Sequence, residues 1–188
     1  MNPRTTRGII RVVDYNPEWP DWFSRLRERV WPSVRDIAVA VEHVGSTAVP
    51  GLAAKPVIDL DIVIPSRSEL PLMVERLGRL GYEHRGDLEV PDREALSIRE
   101  NQPAHNLYVC PRNSVALRNH MAFRDHLRAH PSDVAAYSSL KKQLAERYPH
   151  DMDSYVEGKT DFILSILALY GLSADCLNSI RRVNQSRE

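Results

Sequence analysis

Residues 43–64 read HVGSTAVPGLAAKPVIDLDIVI, and the closing run, 57–64, is the clearest strand signal in the chain. It is β-branched and apolar, interrupted only by Asp59 and Asp61. Strand side chains alternate between faces. Ile58, Leu60, Ile62 and Ile64 therefore share one face, and Asp59 and Asp61 share the other with Val57 and Val63. The first face is wholly apolar and must be buried. The second carries two acids in mid-strand, with Cα atoms about 6.5 Å apart. Two carboxylates at about 5 Å repel by roughly 3 kcal/mol at an effective dielectric near 20, and desolvation adds to that cost. A bound cation removes both penalties. A carboxylate pair with room for waters and phosphate oxygens is how Mg²⁺ is usually held, and two such ions clamp the oxygens of a phosphoryl displacement. Asp59 and Asp61 are thus the candidate metal ligands and catalytic acids, with Mg²⁺ expected and Mn²⁺ the alternative.

The stretch before that strand fits the same chemistry. A strand is expected over 37–44, and Gly45-Ser46 turns the chain with twelve residues between Ser46 and Asp59. A glycine lets backbone approach a ligand closely, and its amide and the serine hydroxyl donate to phosphate oxygens. His43 either reaches a phosphate or hydrogen-bonds locally at its strand end. Lys55 supplies a positive charge four residues before Asp59. The segment is not a Walker A loop. Five residues separate Gly45 from Gly51, and the lysine does not follow the second glycine.

Further out, 9–13 reads as a short strand, and a helix is expected from about Pro20, carrying Trp22, Leu26 and Val30 at four-residue spacing. Pro32 is expected to end or bend it. A helix over 68–80 ends at Gly81, and strands follow at 95–100 and 105–110, with a polar loop over 83–93. After Pro111 the pattern turns helical, over 115–129, 131–147 and 152–170. The polar tail from 175 is expected to fray. Strands with helices followed by helices alone imply an α/β (α+β) fold: a mixed β-sheet flanked by helices, with a helical C-terminal part. The expected organisation is one domain over 1–174, with its core at 9–112 and its helical part at 113–172.

Composition excludes some classes. The chain has 188 residues, 43% hydrophobic and 27% charged, an ordinary globular balance. Lys plus Arg number 25 and so do Asp plus Glu, so no net field favours nucleic acid or acidic membranes. Cys110 and Cys176 form neither a CxxC pair nor a zinc pattern and read as reduced cytosolic thiols. The N-terminal MNPRTTRGII has no apolar h-region, and no apolar run reaches membrane-spanning length. A cytoplasmic protein is expected.

The stretch from His43 to Ile64 resembles the GrpB family, a branch of the nucleotidyltransferase superfamily. The resemblance runs from about Ile10 to Tyr170. It includes Tyr15-Asn16-Pro17-Glu18-Trp19-Pro20, the strand His105-Asn106-Leu107-Tyr108-Val109, the helical segment from Phe123 through Arg124 to Pro131, and the pairs Tyr137/Lys141 and Tyr155/Lys159. It implies a nucleotidyltransferase-like fold with Gly45 and Ser46 as the phosphate-binding turn and Asp59 and Asp61 as metal-binding acids. The implied reaction moves a nucleotidyl group from an Mg²⁺-bound NTP to a hydroxyl or phosphate of an acceptor. Active superfamily members often carry a third carboxylate on a later strand. The matching strand here offers His105 and Asn106, so His105 is a candidate catalytic base or ligand, and Glu100 is a substitute acid. Lys141 and Lys159 either line a phosphate cleft or pack along their tyrosines. Arg124 holds a triphosphate or pairs with Asp125. His120, His126, His130 and His150 read as surface residues. The runner-up reading is a non-catalytic nucleotide- or coenzyme A-related binding module, because relatives occur fused to dephospho-coenzyme A kinase. Expected partners are an NTP and a small-molecule acceptor, without membrane or nucleic acid.

Overall fold

The computed structural model describes residues 8–99 and 102–185. The chain divides into two compact units, one comprising Asn16–Ala48 and Val57–Met121, the other comprising Met1–Tyr15, Val49–Pro56 and Ala122–Glu188.

The first unit is built on a sheet. Its elements are α1 (Trp19–Val34), β1 (Ala40–Val44), a 3-10 turn at Ser46–Ala48, β2 (Ile58–Ile64), α2 (Leu70–Arg79), β3 (Tyr82–His84), β4 (Glu94–Ile98), β5 (His105–Pro111) and the first part of α3 (Val115–Ala129). The strand order is β1-β2-β5-β4-β3, with β2 and β5 parallel and the other pairs antiparallel. This is the mixed, helix-flanked sheet expected from the sequence. The apolar face of β2 is buried as its alternation requires: Ile58, Leu60, Ile62 and Ile64 are wholly inaccessible. α1 covers that face with Leu26, Val30 and Val34, and α2 adds Met73 and Leu77, one turn apart. Ser66 and Glu69 form a capping box ahead of α2, with the Ser66 amide donating to Glu69 Oε2 at 3.0 Å.

Pro32 does not end its helix: it lies inside α1, which continues to Val34. The first strand of the sheet begins at Ala40, because Ile37 and Ala38 still donate to the carbonyl of Val34. A short strand, β3, starts at Tyr82 and runs into the segment expected as a polar loop; three residues are too few for a periodic signal.

The second unit is helical. Beyond the last part of α3 it holds α4 (Pro131–Arg147), α5 (Met152–Glu157), α6 (Thr160–Ala168) and α7 (Ala174–Asn184). Val49, Leu52, Leu127, Tyr137 and Ile166 form one buried cluster, and Ile10, Leu144, Ala145 and Tyr155 form another. The strand expected over 9–13 reduces to one bridge between Val13 and Ala54. Pro50 and Pro56 flank Ala54, and a proline cannot donate to a ladder. The helix expected over 152–170 is broken at Gly158, a poor helix former placed where an added Cβ would press on Leu144. The tail expected to fray is the helix α7. Ser173 caps it by accepting from the Cys176 amide at 3.3 Å, and Arg181 pairs with Asp161 at 2.8 Å. Leu177, Ile180 and Val183 form a half-buried stripe on α7 at three-residue spacing.

Candidate functional site

The register of the sheet collects the polar groups. Glu42 on β1 stands opposite Asp61 on β2, and Tyr108 on β5 stands on the other side of Asp61. Asn106 is likewise the partner of Asp59. Facing residues in adjacent strands project to the same side, so Glu42, Asp59, Asp61, Asn106 and Tyr108 share one face. The start of α3 covers part of it, with Leu117 packed on Val63 and Cys110.

Asp59 lies directly beneath the Gly45 turn. Gly45 has φ +69°, and a Cβ there would fall 2.8 Å from Asp59 Cγ. The turn therefore requires glycine for two reasons, its left-handed backbone and the carboxylate against it. Asn106 Nδ2 donates to Asp59 Oδ1 at 2.7 Å. Asp61 is completely buried, and its Oδ2 meets His120 Nδ1 at 2.7 Å. His120, on α3, keeps 27% of its side-chain surface exposed. Asp61 Oδ1 is buried without a hydrogen-bond partner among the described residues.

That orphan oxygen is the structural test of the implied metal. A buried carboxylate oxygen left unsatisfied is costly, and a hard cation would satisfy it. Among the described residues no group of three or more His, Cys, Asp or Glu is arranged to hold a metal. Asp59 and Asp61 supply the one or two carboxylates that a Mg²⁺-like ion takes, the rest of whose shell is water and phosphate oxygens.

His120 and Asn106 contact the acid pair, which nothing in their own stretches of sequence signals. The polar neighbours of His120 in its helix give it the pattern of a surface residue. Only the strand register pairs Glu42 with Asp61. Its signal in the sequence is a two-residue step from Val44, which by itself is weak.

Two expected site residues face away from the acids. His43 pairs with Leu60 in the register and so lies on the apolar side. Its ring stacks on Phe23 at 4.6 Å and its Nε2 meets Thr47 Oγ1 at 3.0 Å. His105 pairs with Ile58 on that same side. Its Nε2 meets the Tyr82 hydroxyl and its Nδ1 the Pro103 carbonyl, both at 2.8 Å. Burial pushes its pKa below the usual histidine value, although the Pro103 contact opposes the shift. The structure does not bring His105 to Asp59 and Asp61. Glu100 lies outside the described residues.

The remaining expected phosphate ligands belong to the helical unit. Lys55 Nζ and Lys159 Nζ both address the ring of Tyr155, at 5.9 and 4.4 Å from its centroid. Lys141, 2% exposed, lies 4.5 Å from the centroid of Tyr137. Both tyrosine pKa values are raised by burial. Arg124 is buried, with its Nε donating to Asp125 Oδ1 at 2.7 Å. The Tyr137/Lys141 pair shares helix α4. The Tyr155/Lys159 pair instead straddles the break between α5 and α6.

No helix among the described residues is long and apolar enough to cross a membrane.

A model of the GrpB protein family matches residues 9–169. The crystal structure of the conserved protein GrpB from Enterococcus faecalis superposes with a TM-score of 0.76 at 31% identity, covering 89% of this chain and 98% of that one. UPF0157 protein YqkA of Bacillus subtilis is 32% identical over 154 residues, 82% of this chain and 45% of its own length. A protein named dephospho-CoA kinase from Mycolicibacterium paratuberculosis is 30% identical over 178 residues, 81% of this chain and 44% of its own length. The chain thus spans about half the length of these two relatives. With the match covering most of its residues, and with the glycine turn, the acid pair and the mixed sheet in place, the chain belongs to the GrpB family.

Proposed function

We propose that the chain is a nucleotidyltransferase that takes a nucleotidyl group from an Mg²⁺-bound NTP and passes it to an acceptor, with release of pyrophosphate. The observation that carries this reading is the buried, unpartnered Asp61 Oδ1 beside Asp59 under the Gly45 turn. Asp59 and Asp61 would hold one divalent cation, which when bound would neutralise phosphate charge. Gly45 and Ser46 present an amide and a hydroxyl to phosphate oxygens. His120 and Asn106 fix the orientation of the two carboxylates through their 2.7 Å contacts. Lys55, Lys141 and Lys159, in the helical unit, are proposed phosphate ligands on the strength of the family resemblance alone. Catalysis on this reading is positioning and charge neutralisation.

A second reading has one specific observation behind it. Asn106 occupies the strand position where the resemblance expects an acid, and an amide cannot serve as a base. A binding module for a nucleotide or a coenzyme A precursor would fit that change, and the dephospho-CoA kinase relative agrees with it.

Thermal unfolding with a panel of NTPs, with and without Mg²⁺, separates the two. Ligand at about 100 times its dissociation constant adds about 2.7 kcal/mol, a rise of roughly 5–10 °C for a chain of this size. A Mg²⁺-dependent rise with one NTP, lost in Asp61→Asn while the fold is kept, supports the transferase, and pyrophosphate release then confirms turnover. If Asp61→Asn binds Mg²⁺–NTP as tightly as the wild type, the site assignment is wrong. A rise with coenzyme A precursors alone favours the binding module.

A further inference from the structure

The acid face carries a second group whose bonding is incomplete. Arg93 leads into β4, and its guanidinium carbon lies 4.4 Å from the centroid of Tyr108. Its Nε is buried and has no hydrogen-bond partner among the described residues. The guanidinium has no carboxylate partner among them either. The acids on both sides of it in sequence are taken: Arg67 binds Asp92 at 2.9 Å and Glu94 at 3.0 Å. A half-buried arginine normally meets an anion, because it presents five donors in a fixed fork and loses water on burial.

Its position gives that anion a context. Tyr108 is the register partner of Asp61, and its ring lies 6.2 Å from that of His120, which holds Asp61. The Cys110 thiol on the same face is pushed up first by burial and then by the Asp61 charge, whereas Arg93 pulls it down. Both charged groups therefore act on one spot. An unpaired cationic fork and an orphan carboxylate oxygen, set around Tyr108, match a ligand with an anionic end and a bound cation. A phosphate carrying a divalent metal has that form.

We propose that Arg93, seated on Tyr108, binds a phosphate group of the ligand that meets Asp61. The assignment rests on the transferase reading for the metal but places a phosphate contact in the sheet unit, separate from the lysines of the helical unit. The phosphate belongs either to the NTP or to a phosphorylated acceptor.

The test is calorimetric titration of the full chain with Mg²⁺–NTPs and, separately, with inorganic phosphate in the absence of metal. Wild type is compared with Arg93→Ala and Arg93→Lys, and Arg93→Gln replaces the alanine variant if circular dichroism shows that it misfolds. Arg93→Ala is expected to weaken binding roughly 10- to 100-fold, the range for one charge-assisted contact. Arg93→Lys should recover only part of it, because lysine lacks the planar fork. A loss confined to the NTP assigns the donor phosphate; a loss confined to inorganic phosphate assigns the acceptor. Arg93-dependent phosphate binding without any NTP binding would leave this site standing while the transferase reading falls. Equal binding by wild type and Arg93→Ala, or no binding of either probe by wild type, overturns the proposal.

Discussion

Replacing Gly45 with alanine tests the geometry under the acid pair. The backbone there has φ +69°, a left-handed conformation that costs an L-residue about 1–2 kcal/mol. The new Cβ would also fall 2.8 Å from Asp59 Cγ and 3.0 Å from Asp59 Cβ, so the carboxylate must move. That movement breaks its 2.7 Å contact with Asn106. Overpacking of this kind costs about 1–3 kcal/mol. The two effects together give about 2–5 kcal/mol, a fall in Tm of roughly 5–20 °C for a chain of this length. Gly86→Ala is the control. Its φ is +76°, but no atom lies within 4 Å of the added Cβ, so only the backbone cost of about 1–2 kcal/mol applies. A double-mutant cycle isolates the rest. With Asp59→Ala as background most of the obstructing atoms are gone, and Gly45→Ala should cost about 1–3 kcal/mol less there than in the wild type. Urea unfolding of the four proteins gives the coupling. If Gly45→Ala costs the same in both backgrounds, Asp59 is not held against the turn. The reasoning that joins turn to acid pair then fails.

His120→Ala leaves both oxygens of the buried Asp61 unpartnered and should destabilise the fold by about 1–3 kcal/mol. If Asp61 takes a cation, millimolar Mg²⁺ should recover part of that loss, and a Mg²⁺-independent midpoint would count against metal binding. Burial lowers the folded pKa of His105, so below about pH 6.5 the unfolded chain binds more protons than the native one. Stability present above that pH is lost as the pH falls towards the lowered folded value. His105→Gln should therefore show a shallower decline in Tm between about pH 6.5 and pH 5, and an unchanged slope would place the pH dependence elsewhere. Lys141→Met removes an almost wholly buried charge together with its contact to the Tyr137 ring, so Tm should fall. Affinity for the NTP should fall at the same time; unchanged affinity would remove Lys141 from the proposed phosphate ligands.

Elements whose periodicity is strong and local can be read from the order of residues alone. The β2 run can bury Ile58, Leu60, Ile62 and Ile64 only by forming a strand, and that alternation forces Asp59 and Asp61 together onto the opposite face. α3 and α4 were legible to the residue because polar punctuation and Pro131 bound them. The acid pair and the glycine turn were likewise readable, since both depend on spacing within one short stretch.

Tertiary structure decided which other residues join them. His105 and Asn106 are neighbours in sequence, and only the parallel register with β2 sends His105 to the apolar side and Asn106 to Asp59. His120 is polar among polar residues, and nothing in its helix shows that it meets Asp61 59 positions away. Glu42 and Arg93 reach the same face through pairing across β1 and stacking on Tyr108. A strand's own alternation is local and can be read from its residues. Which strand lies beside it, in what register, and which helix covers it depend on contacts between segments far apart in the chain, and those are settled only when the whole sheet is assembled.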